Sequence, residues 1–181
     1  MLPKSSWPHY DKNTISKVAN CLKIGNVNYH TGNNCKKFEK LFSKKIGIKH
    51  CLTVSNGTVA LDLAIRVLGL KKRDYIITTP KSYFSSSSQV LRNGIKLKYC
   101  DISLNTHNLD PVLLTDRINK NTKAVIFVHL GGNPEGIVEV SNICKKNGIY
   151  LIEDCSQAHG AKINNKFAGS FGNISIWSFC N

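Results

Sequence analysis

Short apolar runs alternate with segments of helical spacing along most of the chain. The apolar runs predict strands at residues 51–54, 74–79, 95–101, 124–129, 149–153 and 174–179. Apolar positions three and four residues apart predict helices at residues 33–45, 58–68, 85–92, 109–118 and 138–146. Strands separated by helices at this cadence indicate an α/β fold with a mainly parallel sheet flanked by helices.

The start of the chain does not follow this alternation. Asn13 or Thr14 is a candidate N-cap for a short helix that ends near Leu22. We therefore predict an N-terminal arm over residues 1–30 and a larger ligand-binding domain over residues 31–181.

One predicted strand ends in two acidic residues. The apolar run at 149–152, which Glu153 follows, is typical of a strand that is buried on both faces of a parallel sheet. Asp154 follows at the carboxyl end, where open α/β sheets bind ligands, and a carboxylate that is buried there needs a cationic partner. Gln157 faces the same way if the chain turns helically. Alternatively, Asp154 caps the next turn, and this segment alone leaves both interpretations open.

A second candidate site is the sequence S-N-G-T-V-A-L at residues 55–61, between a predicted strand and a predicted helix. The amides of Gly57 and Thr58 and the hydroxyl of Thr58 lie at the start of this helix. Free N–H groups, the positive end of the helix dipole and a glycine that permits close approach are suited to a phosphate. An ordinary N-cap is the alternative.

Two further segments fall at the same edge of the predicted sheet. Tyr83 and Phe84 follow the strand at 74–79, and either ring can stack on a flat heterocycle or pack in the core. Ser178 ends the last predicted strand and offers another hydroxyl to a phosphate. Together with Asp154, these residues suit a ligand with a phosphate, an aromatic ring and a basic ring nitrogen. Pyridoxal phosphate (PLP) has all three.

Composition narrows the function classes. The chain has 181 residues, 41% of them hydrophobic, which is enough for a substantial core. The net charge is +14, but 21 of the 25 basic residues are lysines scattered singly or in pairs, so we expect no nucleic-acid partner. A basic surface can nevertheless attract phosphorylated ligands.

The seven cysteines show no C-x-x-C pair and no zinc-type spacing, so we expect buried, reduced thiols, no metal site and a cytoplasmic location. No apolar run reaches membrane-spanning length and no signal peptide is recognisable, so we expect a soluble protein.

Several motifs in order resemble the DegT/DnrJ/EryC1/StrS aminotransferases, a family of fold-type-I PLP-dependent enzymes. The resemblance covers residues 26–181 and includes T-P-K-S-Y and N-L-D-P, and its most specific parts are S-N-G-T-V-A-L and I-E-D-C-S-Q-A-H-G-A. It implies that the chain is the amino-terminal part of the large, PLP-binding domain. It also implies a homodimer that aminates a keto sugar on a nucleotide carrier, with an amino acid as the amino donor.

The resemblance also implies residue roles. Asp154 would pair with the pyridinium nitrogen and keep it protonated, and Gln157 would hydrogen-bond the phenolic oxygen. Gly57, Thr58 and Ser178 would hold the phosphate. Tyr83 would stack on the ring, although the turn after Pro80 is one residue shorter than usual, which leaves Phe84 as an alternative. His129 and His159 belong to recurring motifs, and we expect supporting roles for both.

The family's Schiff-base lysine corresponds to a position two residues beyond Asn181. We therefore expect this chain to be an inactive part of a sugar aminotransferase. Two alternatives are the family's PLP-dependent keto-sugar dehydratases, in which histidine replaces that lysine, and a pseudoenzyme that binds a ligand or partner. Gln157 fits the aminotransferase form of the motif. We further expect the isolated chain to expose apolar surface and to associate.

Overall fold

The computed structural model describes residues 8–179. Contacts within the chain divide it into two compact units, and the boundary along the sequence falls between residues 53 and 54. The predicted boundary between an arm and a ligand-binding domain at residue 30 stays a prediction.

The first unit contains helices α1 (Lys12–Lys23) and α2 (Asn34–Ile46). The N-cap of α1 is Asp11, whose carboxylate accepts a hydrogen bond from the backbone of Thr14 at 2.6 Å, so the prediction of Asn13 or Thr14 as the cap was wrong. Helix α2 ends at Gly47, which adopts a left-handed φ of 82° and closes the helix, as its position in the sequence predicts.

Residues 51–54, at the end of this unit and the start of the next, do not form the predicted strand. The backbone N–H and the hydroxyl of Thr53 both donate to the carboxylate of Glu39, at 2.8 Å each. A side chain therefore occupies the donor that a strand would use, and Leu52 remains 60% exposed. Apolar sequence favoured a strand here, but strand formation requires a pairing partner that local sequence does not reveal.

The second unit begins with helix α3 (Gly57–Val67) and continues with strand β1 (Tyr75–Thr78), helix α4 (Ser85–Arg92), strand β2 (Lys96–Tyr99) and helix α5 (Pro111–Arg117). Strand β3 (Thr122–Val128), helix α6 (Ile137–Asn147) and strand β4 (Tyr150–Asp154) follow, then the short strands β5 (Lys162–Ile163), β6 (Lys166–Phe167) and β7 (Ile174–Ile176).

Five strands form a parallel sheet in the order β2, β1, β3, β4, β7. Apolar side chains of α3 and α4 cover one face, with Leu61, Ile65 and Val90 fully or almost fully buried. Side chains of α5 and α6 cover the other. The predicted α/β fold with a mainly parallel sheet flanked by helices is confirmed, and the carboxyl ends of all five strands lie at one edge.

The small antiparallel hairpin of β5 and β6 was not predicted. Its turn residues Asn164 and Asn165 have φ values of 51° and 61°, as a tight two-residue hairpin requires. Two strands of two residues each carry too little periodicity to be recognised, although the Asn-Asn pair is a turn signal.

Among residues 8–179, helices that combine the length and the apolar character needed to cross a membrane are absent.

Candidate functional site

Asp154 is the last residue of β4 and lies at the carboxyl edge of the sheet, with only 5% of its surface exposed. Its Oδ1 accepts hydrogen bonds from the backbone N–H of Ser156 at 3.1 Å and from the Ser156 hydroxyl at 2.6 Å. Its Oδ2 is 3.4 Å from the hydroxyl of Ser86 on α4. Within the described residues, the structure pairs this buried carboxylate with hydroxyl and amide donors and with no cationic side chain.

Gly57 opens α3 close to this carboxylate. The helix is capped by Asn56, whose side-chain oxygen accepts from the backbone N–H of Val59 at 2.9 Å. Gly57 is buried, and a Cβ added to it would lie 2.9 Å from the Cβ of Ser178 and 3.5 Å from the hydroxyl of Ser156. The close approach between the helix start and residue 178 therefore depends on glycine.

These distances bring three of the sequence-predicted residues to one place. Gly57 lies beside both Ser178 and Ser156, and the Ser156 hydroxyl donates to Asp154. Thr58, the next residue of α3, is half-buried. A helix N-terminus attracts an anion, while the buried carboxylate attracts a cation. A phosphate linked to a protonated ring carries both charges, so these residues fit PLP.

Gln157 lies three residues beyond Asp154 and is exposed. Its side-chain Oε1 accepts a hydrogen bond of 2.7 Å from the backbone N–H of Gly131. Gly131 belongs to a single 3-10 turn, Leu130–Gly132, which directly follows β3 and His129. Gln157 is thus tied to the carboxyl end of the neighbouring strand.

The two candidate stacking residues are both exposed, Tyr83 at 73% and Phe84 at 78%. Phe84 is the N-cap of α4, and Tyr83 directly precedes it. The neighbouring Ser86 is fully buried against Asp154. The loop that carries the aromatic residues therefore borders the site, and the choice between Tyr83 and Phe84 stays a prediction.

Glu153 precedes Asp154 and is fully buried. Its Oε1 accepts from the backbone N–H groups of Phe171 and Gly172 at 2.7 and 2.6 Å. Its Oε2 accepts from the backbone N–H of Gly169 at 2.8 Å and lies 2.9 Å from His129 Nε2. Because the carboxylate only accepts, Nε2 of His129 carries the proton in this pair. Glu153 thereby fixes the loop between β6 and β7.

Polar atoms of His129, Glu153 and Cys155 lie within 4.8 Å of one another, a spacing compatible with metal ligands. Both Glu153 oxygens already accept two hydrogen bonds each. Burial, reinforced by the nearby carboxylates of Glu153 and Asp154, raises the pKa of the Cys155 thiol well above its ordinary value. The cluster is therefore suited to fixing a loop.

His159 lies beside the last described residues. Its ring meets those of Trp177 and Phe179 edge-on, at centroid distances of 5.3 and 4.7 Å. Burial lowers the pKa of His159 below its ordinary value. Residues 177 and 179 flank Ser178, so the histidine packs against both neighbours of a predicted phosphate ligand.

Sequence reasoning missed Ser86 and Ser156 as partners of Asp154. Ser156 is two residues from Asp154, and the D-x-S spacing, in which a hydroxyl and an amide turn back to the carboxylate, is a detectable signal. Ser86 is 68 residues away in a run of four serines, and only the packing of α4 identifies which of them faces the site.

Comparisons with known proteins identify the family of the chain. The model of the DegT/DnrJ/EryC1/StrS aminotransferase family matches residues 8–181. The chain is 35% identical over 172 residues to GDP-perosamine synthase from Vibrio cholerae, which covers 95% of this chain and 47% of that protein.

Two solved structures resemble the chain closely. The aminotransferase from Psychrobacter cryohalolentis is 34% identical, with a TM-score of 0.93 over 96% of this chain and 44% of that chain. The E. coli GDP-4-keto-6-deoxy-D-mannose-3-dehydratase, solved with bound hydrated PLP, is 32% identical, with a TM-score of 0.84 over 90% of this chain and 43% of that chain. The chain thus spans somewhat less than half the length of these relatives, and it belongs to the DegT/DnrJ/EryC1/StrS aminotransferase family.

Proposed function

We propose that this chain forms the PLP-binding part of an enzyme that transfers an amino group from an amino acid to a keto sugar carried on a nucleotide. The observation that carries the proposal is the position of Asp154. It is a buried carboxylate beside the helix start at Gly57, with hydroxyl and amide partners and no salt bridge within residues 8–179.

Asp154 is proposed to bind the protonated ring nitrogen of the cofactor. Ser156 holds Oδ1 with two hydrogen bonds, whereas the contact of Oδ2 with Ser86 is long, so Oδ2 retains capacity to accept a charged N–H. When bound, PLP supplies an electron-poor ring that stabilises the negative charge left as the substrate's C–H proton departs. Asp154 supports this chemistry by keeping a proton on the ring nitrogen.

Gly57, Thr58 and Ser178 are proposed to bind the phosphate. The first amides of α3 have no carbonyl partner within the helix, and the helix dipole favours an anion at this end. The position of Ser178, whose side chain leaves no room for a Cβ at Gly57, supports a role for the serine hydroxyl beside these amides. Tyr83, or in its place Phe84, is proposed to cover one face of the ring, and Gln157 to donate to the phenolic oxygen.

The substrate and partners are inferred from the relatives. A GDP-perosamine synthase and a dTDP-3-amino-3,6-dideoxy-alpha-D-galactopyranose transaminase, 35% and 36% identical to this chain, are both named for amino sugars carried on nucleotides. We therefore propose a nucleotide-linked keto sugar as amino acceptor, an amino acid as donor and a homodimer as the active form of the complete protein. The sugar gains a C–N bond in place of its carbonyl, and the amino acid becomes the 2-oxo acid.

Titration of the chain with PLP, followed by cofactor absorbance and by tryptophan fluorescence, tests cofactor binding. Asp154→Asn preserves the shape of the side chain but removes its charge, and a charged hydrogen bond contributes about 1.5–3 kcal/mol. We expect Kd to rise by at least about tenfold. Asp116→Asn, on the exposed part of α5, is the matched control and should leave Kd unchanged. Equal Kd values for the wild type and Asp154→Asn would refute the proposed anchor.

We expect the 181-residue chain to bind PLP without a specific covalent bond, because none of its 21 lysines corresponds to the family's Schiff-base position. Borohydride reduction followed by peptide mass spectrometry tests this expectation. A stoichiometric adduct on one lysine would refute it, whereas scattered traces of modification are expected from the 21 lysines.

Dehydration of the keto sugar is the second candidate, and the similarity to the PLP-bound E. coli dehydratase supports it. Mass spectrometry of products made by the complete protein, with PLP, an amino donor and a nucleotide-linked keto sugar, separates the two reactions. Aminotransfer predicts a sugar that carries nitrogen, whereas dehydration predicts a sugar that has lost a hydroxyl group.

A further inference from the structure

The side-chain amide of Gln157 has a defined orientation. The side chain accepts a hydrogen bond of 2.7 Å from the backbone N–H of Gly131, and a backbone N–H can only donate. The atom that faces Gly131 is therefore the amide oxygen, and the amide nitrogen points elsewhere. Gln157 consequently offers N–H donors to a ligand, which suits a ligand group that accepts hydrogen bonds.

The turn that carries Gly131 fits closely against Gln157. Gly131 and Gly132 have φ values of 61° and 83°, a left-handed conformation that favours glycine. A Cβ added to Gly132 would lie only 2.8 Å from the backbone oxygen of Gln157. Displacement of this turn would therefore disturb both the backbone and the side chain of Gln157.

Asn108 holds the turn in place from a distant part of the chain. It lies between β2 and α5 and is 1% exposed. Its Nδ2 donates to the backbone oxygens of Asn133 and Glu135, at 2.9 Å each, and its Oδ1 accepts from the backbone N–H of Leu130 at 3.2 Å. One buried side chain thus binds the segment on both sides of Gly131.

We propose that Asn108 is a positioning residue for the ligand site. By fixing residues 130–135 it fixes the N–H of Gly131, and this N–H directs the Gln157 amide nitrogen toward an oxygen acceptor on the ligand. The ligand atom facing Gln157 is then a hydrogen-bond acceptor, for which the phenolic oxygen of the proposed cofactor is the candidate. This inference rests on the proposed function for the identity of the ligand, but not for the hydrogen-bond relay itself.

The relay is tested first without ligand, by ¹⁵N NMR of the chain. Asn108→Ala should accelerate amide exchange at Gly131 by about tenfold or more, because the segment loses three hydrogen bonds, and it should shift the Gln157 side-chain NH₂ resonances. Asn119→Ala removes another loop asparagine, which precedes β3, and should change neither signal. Unaltered Gly131 exchange and Gln157 resonances in Asn108→Ala would overturn the relay.

A double-mutant cycle then tests its effect on ligand binding. We expect Asn108→Ala to raise the Kd for PLP by about tenfold in the wild-type background, but by less than about twofold when Gln157 is already alanine. The same loss in both backgrounds would overturn the positioning role, because Asn108 would then act without Gln157. Failure of the wild type to bind PLP would refute the proposed function, and the ligand-free NMR result would still decide the relay.

Gln157→Glu provides a test that does not disturb the buried asparagine. One carboxylate oxygen can still accept from Gly131, but the other presents an acceptor where the amide presented donors. We expect Kd for PLP to rise at least as much as in Gln157→Ala. Wild-type affinity in Gln157→Glu would overturn the inferred donor direction.

Discussion

Two adjacent carboxylates at the end of β4 have different environments because successive side chains of a strand point to opposite faces of the sheet. Glu153 accepts from three backbone N–H groups and pairs with His129. Asp154 accepts from Ser156 and contacts Ser86. One acidic residue is thus used to fix a loop, and its neighbour remains available to a cationic ligand group.

The thiol of Cys144 is buried on the side of α6 that packs against the sheet, and it predicts how the stability of the fold depends on pH. Burial raises its pKa from 9.0 to about 12, so the folded chain retains a proton that the unfolded chain loses. The associated stability is fully present below pH 9 and is lost as the pH rises toward about 12, with a slope of at most about 1.4 kcal/mol per pH unit.

Urea unfolding of the wild type and Cys144→Ala at a series of pH values isolates this contribution. The wild type should lose stability more steeply above pH 9 than the variant does, while lysine titration affects both proteins equally. Parallel pH profiles for the two proteins would contradict the burial of this thiol.

At the scale of elements, the loop between β6 and β7 depends on Glu153. Each oxygen of Glu153 accepts two hydrogen bonds from N–H groups. Glu153→Gln replaces one of these oxygens with an NH₂ group, whose own hydrogens would then face those N–H groups. We expect the free energy of unfolding to fall by about 3 kcal/mol, measured in urea. Glu139→Gln on the exposed side of α6 is the control, with an expected change within about 0.5 kcal/mol. A similarly small effect of Glu153→Gln would show that the loop does not depend on the carboxylate.

Elements with local signals could be predicted from the sequence. Gly47 and Gly148 end α2 and α6, and Pro111 begins α5, because these residues act on the backbone of their own helix. The segment at 51–54 could not be assigned in the same way, because strand formation depends on pairing with distant residues. Local sequence therefore determines helix ends better than it determines strands.

The same distinction applies to the site. Asp154 and Gly57 could be recognised because each lies at the junction of an element and a loop, where α/β folds bind ligands. Ser86 and Asn108 could not, because their contacts at the site join residues 22 to 68 positions apart. These supporting contacts depend on how α4 and the loops pack.

At the scale of the whole molecule, an apolar stripe on α3 is exposed. Val59, Leu63 and Val67 recur every four residues and are 36–63% exposed. A row of this kind on one helix face favours association. We expect the apparent mass of the isolated chain to rise with concentration in light scattering after size-exclusion chromatography.

Val67→Lys should reduce this association by introducing a charge into the stripe. Val112→Lys, on α5 and 78% exposed in the wild type, is the matched control and should leave the association unchanged. A monodisperse wild-type monomer with clean two-state unfolding would contradict the predicted association.

The central claim is that Asp154 binds the ring nitrogen of PLP in its protonated form. The most direct measurement is ¹⁵N NMR of PLP labelled at that nitrogen and bound to the chain, at a pH at which the free cofactor's ring nitrogen is neutral. We predict the chemical shift of a protonated nitrogen with the wild type and of a neutral nitrogen with Asp154→Asn. A neutral nitrogen in the wild-type complex, or a protonated one that persists in Asp154→Asn, would contradict the claim.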